Sequence, residues 1–332
     1  MLTESSASLQ SKMLDNLIFS VNAILPVFLM VILGWILKNK GFLPEAFFNS
    51  ADKFVFRVAL PCNLFISIIA GDVEKLKKTL PLILYCTVGI SVVFLLAWCI
   101  APIFIKDDKK RGAFIQGVYR GNFAILGLPI AENVFGGAGS STVAVVMPAA
   151  VMLVNVYAVL ILSVYAPSDV KKPPLQTAKD VLISILKNPL IISCFLGLVC
   201  MLLGVELPAF ASKTVTKLSD TVFALALMSL GAGFSFEALK GRVGTSTVGA
   251  IVKTVVAPLL AVSVAVALGF RGVELGVILI FFGAPTAVSS YIMAKNMKSD
   301  YEMASQILLI STLLCMFTLF LGIFVLKTCQ FI

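Results

Sequence analysis

Gly121-Asn122-Phe123-Ala124-Ile125-Leu126-Gly127-Leu128-Pro129 lies in the middle of an apolar segment long enough to cross a bilayer. Near the C-terminus it has a counterpart, Phe282-Gly283-Ala284-Pro285-Thr286-Ala287-Val288-Ser289-Ser290. Each run is interrupted by Gly-x-Pro. Proline removes a backbone donor and clashes with the preceding turn, so each helix is expected to bend or break there. Inside hydrocarbon, a broken helix is tolerated only where protein or a water-filled cavity satisfies the freed backbone groups. Two such interruptions at corresponding positions of two halves point to a binding site where they meet. The plainer alternative is a pair of kinks in lipid-facing helices, and Pro26, Pro61, Pro81, Pro148 and Pro258 show that proline is common in these segments.

The rest of the chain fits a membrane setting. Its 332 residues are 59% hydrophobic and 13% charged, with a mean hydropathy of +1.03. Soluble domains carry about 25% charged residues. The net charge of +9 sits in short loops between apolar runs, which is the positive-inside pattern of membrane proteins and not a nucleic-acid-binding face. The absence of histidine removes the commonest general base and metal ligand. No P-loop, GxSxG elbow or HExxH motif occurs, so no enzyme activity is expected. The seven cysteines form no CxxC pair and read as small packing residues; no metal or cofactor is expected.

Counting runs of about 20 apolar residues predicts ten spans. They are Asn16–Leu37, Asn49–Ile69, Leu80–Ile105, Gly112–Phe135, Ser141–Tyr165, Asn188–Gly204, Val215–Phe236, Thr245–Leu268, Glu274–Met297 and Tyr301–Leu326. Ala166–Lys187, with Lys171-Lys172-Pro173-Pro174, reads as a polar linker. The halves share ordered matches at closely similar offsets: Leu43-Pro44 with Leu207-Pro208, Val55-Phe56 with Val222-Phe223, Glu74 with Glu237, and Gly127-x-Pro129 with Gly283-x-Pro285. Five spans per copy is an odd number, so the second copy must cross in the opposite sense. The expected fold is therefore an all-α integral membrane protein of ten helices in two inverted five-helix repeats, residues 1–165 and 188–332, joined by the linker at 166–187. Helices 4 and 9 are broken and cross each other. With both termini outside, roughly twice as many Lys and Arg fall on the cytoplasmic side; Lys75, Lys77 and Lys78 run against that bias.

If Pro129 and Pro285 each open a second half-helix, the amides near Ile130–Glu132 and Thr286–Val288 point unpaired into the interior. With the helix dipoles they favour a carboxylate. Asn122, Thr286, Ser289 and Ser290 flank the breaks, while Asn63 and Asn155 lie at depth in other spans. These side chains suit substrate binding, and equally suit hydrogen bonds between helices. Arg57 and Lys253 sit about two turns inside a span, where they either snorkel or attract an anion. Asp52 and Asp220 open spans two and seven and read as interfacial caps.

At these residues the sequence resembles the auxin efflux carrier family, which holds bacterial malate permease-like proteins and the plant PIN carriers. The carrying positions are Pro26…Gly34…Pro44…Phe54-Val55…Pro61, Asn122 with Gly127-x-Pro129, and Pro285 with Ala294-Lys295; Phe123 stands where the plant carriers have threonine. The resemblance covers essentially the whole chain, and the short central linker is like that of bacterial members. It implies a scaffold of helices 1, 2, 6 and 7, a mobile domain of helices 3–5 and 8–10, and a homodimer in the cell membrane, the inner membrane of a bacterium. It implies a secondary transporter of small organic anions, malate or auxin-like acids, working by alternating access in the efflux direction, with Asn122 as a substrate ligand. A coupling ion, sodium or proton, is left open, with Asn63, Thr286 and Ser289 as possible oxygen donors to sodium. The competing readings are a membrane sensor with a transporter fold and an anion channel.

Overall fold

The computed structural model describes residues 29–71, 79–166, 186–233 and 243–332, with isolated positions between them. The start of the first span, Lys75 to Lys78 and most of the expected linker lie outside the described residues. All regular structure among the described residues is helical.

The helices are α1 (Leu29–Asn39), α2 (Glu45–Phe54), α3 (Leu60–Ile69), α4 (Leu80–Phe104), α5 (Asp108–Tyr119), α6 (Leu128–Phe135) and α7 (Gly137–Val164). After the linker come α8 (Pro189–Leu202), α9 (Ala209–Ala232), α10 (Val243–Ile251), α11 (Ala257–Ala267), α12 (Gly272–Gly283), α13 (Val288–Asn296) and α14 (Tyr301–Thr328). Wide π-helical turns at Val55–Ala59 and Val252–Val256 join α2 to α3 and α10 to α11 into continuous rods. Among the described residues, five helices are long and apolar enough to cross a membrane: α4, α7, α9, the rod Val243–Ala267 and α14.

Two features echo the sequence match between the halves. Pro44 and Pro208 both stand at the N-cap of a helix, α2 and α9. Shortly before each, Gly41 and Gly204 turn the chain with φ of 71° and 64°, a left-handed conformation that glycine adopts without strain. Because these helices begin at Glu45 and Ala209, Asp52 and Asp220 lie well inside them. Neither caps a helix start, which corrects the reading of both as interfacial caps.

The helices pack in two groups. In the first, α3 lies along α8 and α9, and α2 packs on α9. Helix α1 joins them through backbone contact with α9: a β-carbon on Gly34 would collide with the Met228 carbonyl, and one on Gly231 with that of Val31. In the second, α4, α5, α6 and α7 pack together, and α14 packs on α5, α10, α12 and α13. The groups meet where α7 touches α3 and where α13 touches α9. Across that seam Asp52 of α2, only 2% exposed, pairs with Lys295 of α13 at 2.5 Å. Tyr291 of α13 donates to the Ser229 carbonyl of α9 at 3.2 Å.

Candidate functional site

Two helical segments break at the centre of the second group. Helix α5 ends at Tyr119, and Arg120 leaves it in an extended conformation (φ −86°, ψ 100°). Helix α12 ends at Gly283, and Ala284 and Ala287 are extended before α13 begins. The two extended stretches pair antiparallel at Gly121 and Thr286. The Asn122 N–H donates to the Pro285 carbonyl at 2.6 Å, and the Ala287 N–H to the Arg120 carbonyl at 3.1 Å. Each break thus satisfies backbone groups that the other exposes, as an interior without water requires. Thr286 adds two bonds: its N–H donates to Ser311 Oγ at 3.0 Å, and its Oγ1 donates to the Gly117 carbonyl, an orphan of the α5 end, at 2.7 Å.

The first break is displaced from the proline. Asn122, whose carbonyl accepts from the Leu126 N–H at 3.0 Å, starts the second half-helix; the π-turn Phe123–Gly127 then runs straight into α6, with Pro129 in its first turn. The orphan amides of that half-helix are therefore those from Phe123 onward, not Ile130–Glu132. Proline in a first helical turn lacks only a donor that would have been unpaired, so it need not break the chain. The break falls where glycine permits close approach: a β-carbon on Gly121 would lie 3.1 Å from Lys253 Nζ and 3.4 Å from the Phe281 carbonyl. On the other side, the Thr286 and Ala287 amides are already bonded, and the Val288 and Ser289 amides start α13.

Two cations are buried at this crossing. Arg120, 3% exposed, donates from Nη2 to Asn155 Oδ1 at 2.7 Å and lies against Met293 Sδ. Lys253, 2% exposed, donates from Nζ to the Phe282 carbonyl at 2.8 Å. Neither is within ion-pair distance of a carboxylate among the described residues. Each stands near the C-terminal end of a half-helix, Arg120 at α5 and Lys253 at α12, where a cation is favoured. Those two ends carry about −0.5 charge each, and the two half-helix starts about +0.5 each. The dipoles cancel, and the side-chain charges remain. The arrangement is buried and electropositive, which suits an anion. A narrow cavity of about 40 Å³ adjoins it, walled by Ile90, Gly121, Phe123, Val151, Val154 and Phe281. That is room for a group the size of a carboxylate beside apolar walls.

The structure gathers only part of the expected set. Asn122 is buried at the crossing, and its carboxamide makes no hydrogen bond among the described residues. Pro285, Thr286 and Gly283 belong to the break, and Asn155 joins through Arg120, its own amide donating to the Val151 carbonyl. Ser290 is buried with its hydroxyl unpaired among the described residues, and Ser289 is half-buried beside it. Gly127 closes the π-turn under the Phe123 ring. Asn63 lies elsewhere, donating to Ser219 between α3 and α9 at 2.9 Å. Arg57 and Asp220 are exposed, and Asp52 belongs to the seam. Arg120 is missing from the expected set because, nine positions beyond the end of the Lys109-Lys110-Arg111 run, it reads as one more loop charge. Since α5 already starts at Asp108, Arg120 in fact stands at the inner end of a half-helix.

Residues 19–323 match the family model described as membrane transport protein. An uncharacterized transporter of Methanocaldococcus jannaschii is 25% identical over 302 residues, covering 88% of this chain and 94% of the relative. The uncharacterized transporter YfdV of Escherichia coli is 24% identical over 286 residues, covering 84% and 89%. A protein of Oryza sativa subsp. japonica named as a probable auxin efflux carrier component is 27% identical over 121 residues, covering 34% and 21%. With nearly its whole length matched, a helical architecture rich in membrane-length apolar helices and a broken-helix crossing at its centre, the chain belongs to the membrane transport protein family.

Proposed function

We propose that the protein is a secondary carrier of small organic anions and that the crossing of its two broken segments is the substrate site. The observation that carries this is the buried pair Arg120 and Lys253, without a carboxylate partner among the described residues. Burying a bare charge is costly, so a site built this way is suited to a ligand of opposite sign. Asn122, Asn155, Ser289, Ser290 and the starting amides of the second half-helices would orient its carboxylate, and the apolar side chains around the small cavity would face its carbon skeleton. Carboxylates such as malate, or an auxin-like acid, match that chemistry.

In this reading ten spans form two inverted five-helix repeats, residues 1–165 and 188–332, joined through 166–187. The antiparallel pairing of the two breaks and the matched Gly41/Pro44 and Gly204/Pro208 turns support it. The group of α1–α3, α8 and α9 serves as scaffold and pairs with a second copy in the cell membrane, with both termini outside. The other group moves against it to expose the site to each side in turn. An inside-negative potential favours export by about 2.3 kcal/mol per net negative charge moved outward per 100 mV.

Flux of labelled malate into proteoliposomes tests the proposal. Saturable uptake with counterflow supports a carrier. Ohmic current identifies a channel, and binding without flux a sensor; either result overturns the carrier reading.

A further inference from the structure

We propose that this carrier is an obligate anion exchanger: it reorients readily with an anion bound and only very slowly when empty. The inference rests on the carrier reading above and on the charge left at the crossing. Any alternating cycle passes through a state in which the site is sealed from both sides. In this structure the Arg120 guanidinium is buried against one amide oxygen and one thioether, with no carboxylate in ion-pair reach among the described residues, and an empty carrier would have to carry that charge through the sealed state. Arginine keeps its proton at any physiological pH, so this charge cannot be shed to lower the barrier. Lys253 adds to it whenever protonated, and the four half-helix ends cancel one another. Uncompensated charge sealed away from water raises the energy of the occluded state steeply. A bound carboxylate cancels it. The loaded carrier therefore crosses and the empty one stalls, which couples the exit of one anion to the entry of another.

The test uses the full chain in liposomes loaded with labelled malate, with valinomycin and equal potassium on both sides so that no voltage builds up. Efflux is followed into buffer with sucrose or with unlabelled malate. The proposal expects external malate to speed efflux by about tenfold or more. Equal rates with and without external malate overturn it and leave the carrier reading standing. No efflux in either buffer defeats the carrier reading and this proposal together. Arg120→Gln also removes a substrate contact and slows efflux overall, so the readout is the ratio of efflux with and without external malate: that ratio is expected to fall toward one in Arg120→Gln and to stay high in Arg120→Lys. A folded Arg120→Gln protein that still requires external malate contradicts the role given to Arg120.

Discussion

The main-chain amide of Asn122 donates to the carbonyl oxygen of Pro285 at 2.6 Å, tying the break in one half of the chain to the break in the other. With the reciprocal bond from Ala287 to Arg120, it makes the crossing a short two-stranded pairing inside a helical protein. The breaks are thereby held in one register, and the side chains around them are fixed relative to each other.

Thr286→Val tests how much that register depends on side-chain support. The change keeps shape but leaves the buried Gly117 carbonyl without its donor. A loss of about 1–3 kcal/mol is expected, read as a lower thermal midpoint in detergent. An unchanged midpoint would mean that the Gly117 carbonyl is satisfied in another way.

Asn122→Ala should behave differently. The carboxamide has no hydrogen bond to lose among the described residues, so the thermal midpoint should stay close to that of the parent. Substrate affinity should fall by about 3–10-fold, the worth of roughly one hydrogen bond. Transport kinetics identical to the parent would remove Asn122 from the site.

Gly231→Ala probes the scaffold. The added methyl would meet the Val31 backbone carbonyl, which cannot swing aside as a side chain could. Separation of α1 from α9 at a cost of about 1–3 kcal/mol is expected, against a small effect for Gly244→Ala, where nothing lies nearby. Equal midpoints for the two variants would contradict the close α1–α9 contact.

The Asp52–Lys295 pair spans the seam between the two helix groups. Asp52→Asn and Lys295→Gln should each be destabilising, and the double variant should cost less than the sum, with a coupling of about 0.5–3 kcal/mol. Strict additivity would mean that the pair does not hold the seam in this conformation.

Much of this was legible in the residues. Apolar run length located the helical segments, and the paired Gly-x-Pro motifs pointed to the two segments that cross. The exact break in the first segment was not legible, because proline fits the start of a helix as well as it ends one; Gly121, needed for close approach, carries the break instead. Burial of charge was also hidden. Lys253 and Arg57 look alike in sequence, both in π-turns, yet one faces the crossing and the other is exposed. Asp52 read as an interfacial cap because its partner is remote in sequence, on α13.

The central claim is that buried positive charge at the crossing holds the substrate anion, and calorimetric titration of malate into the purified protein and its Lys253→Gln variant tests it most directly. Losing a charge-assisted contact worth about 1.5–3 kcal/mol should weaken binding by roughly 10–100-fold. Equal affinity in a folded Lys253→Gln variant would contradict the account.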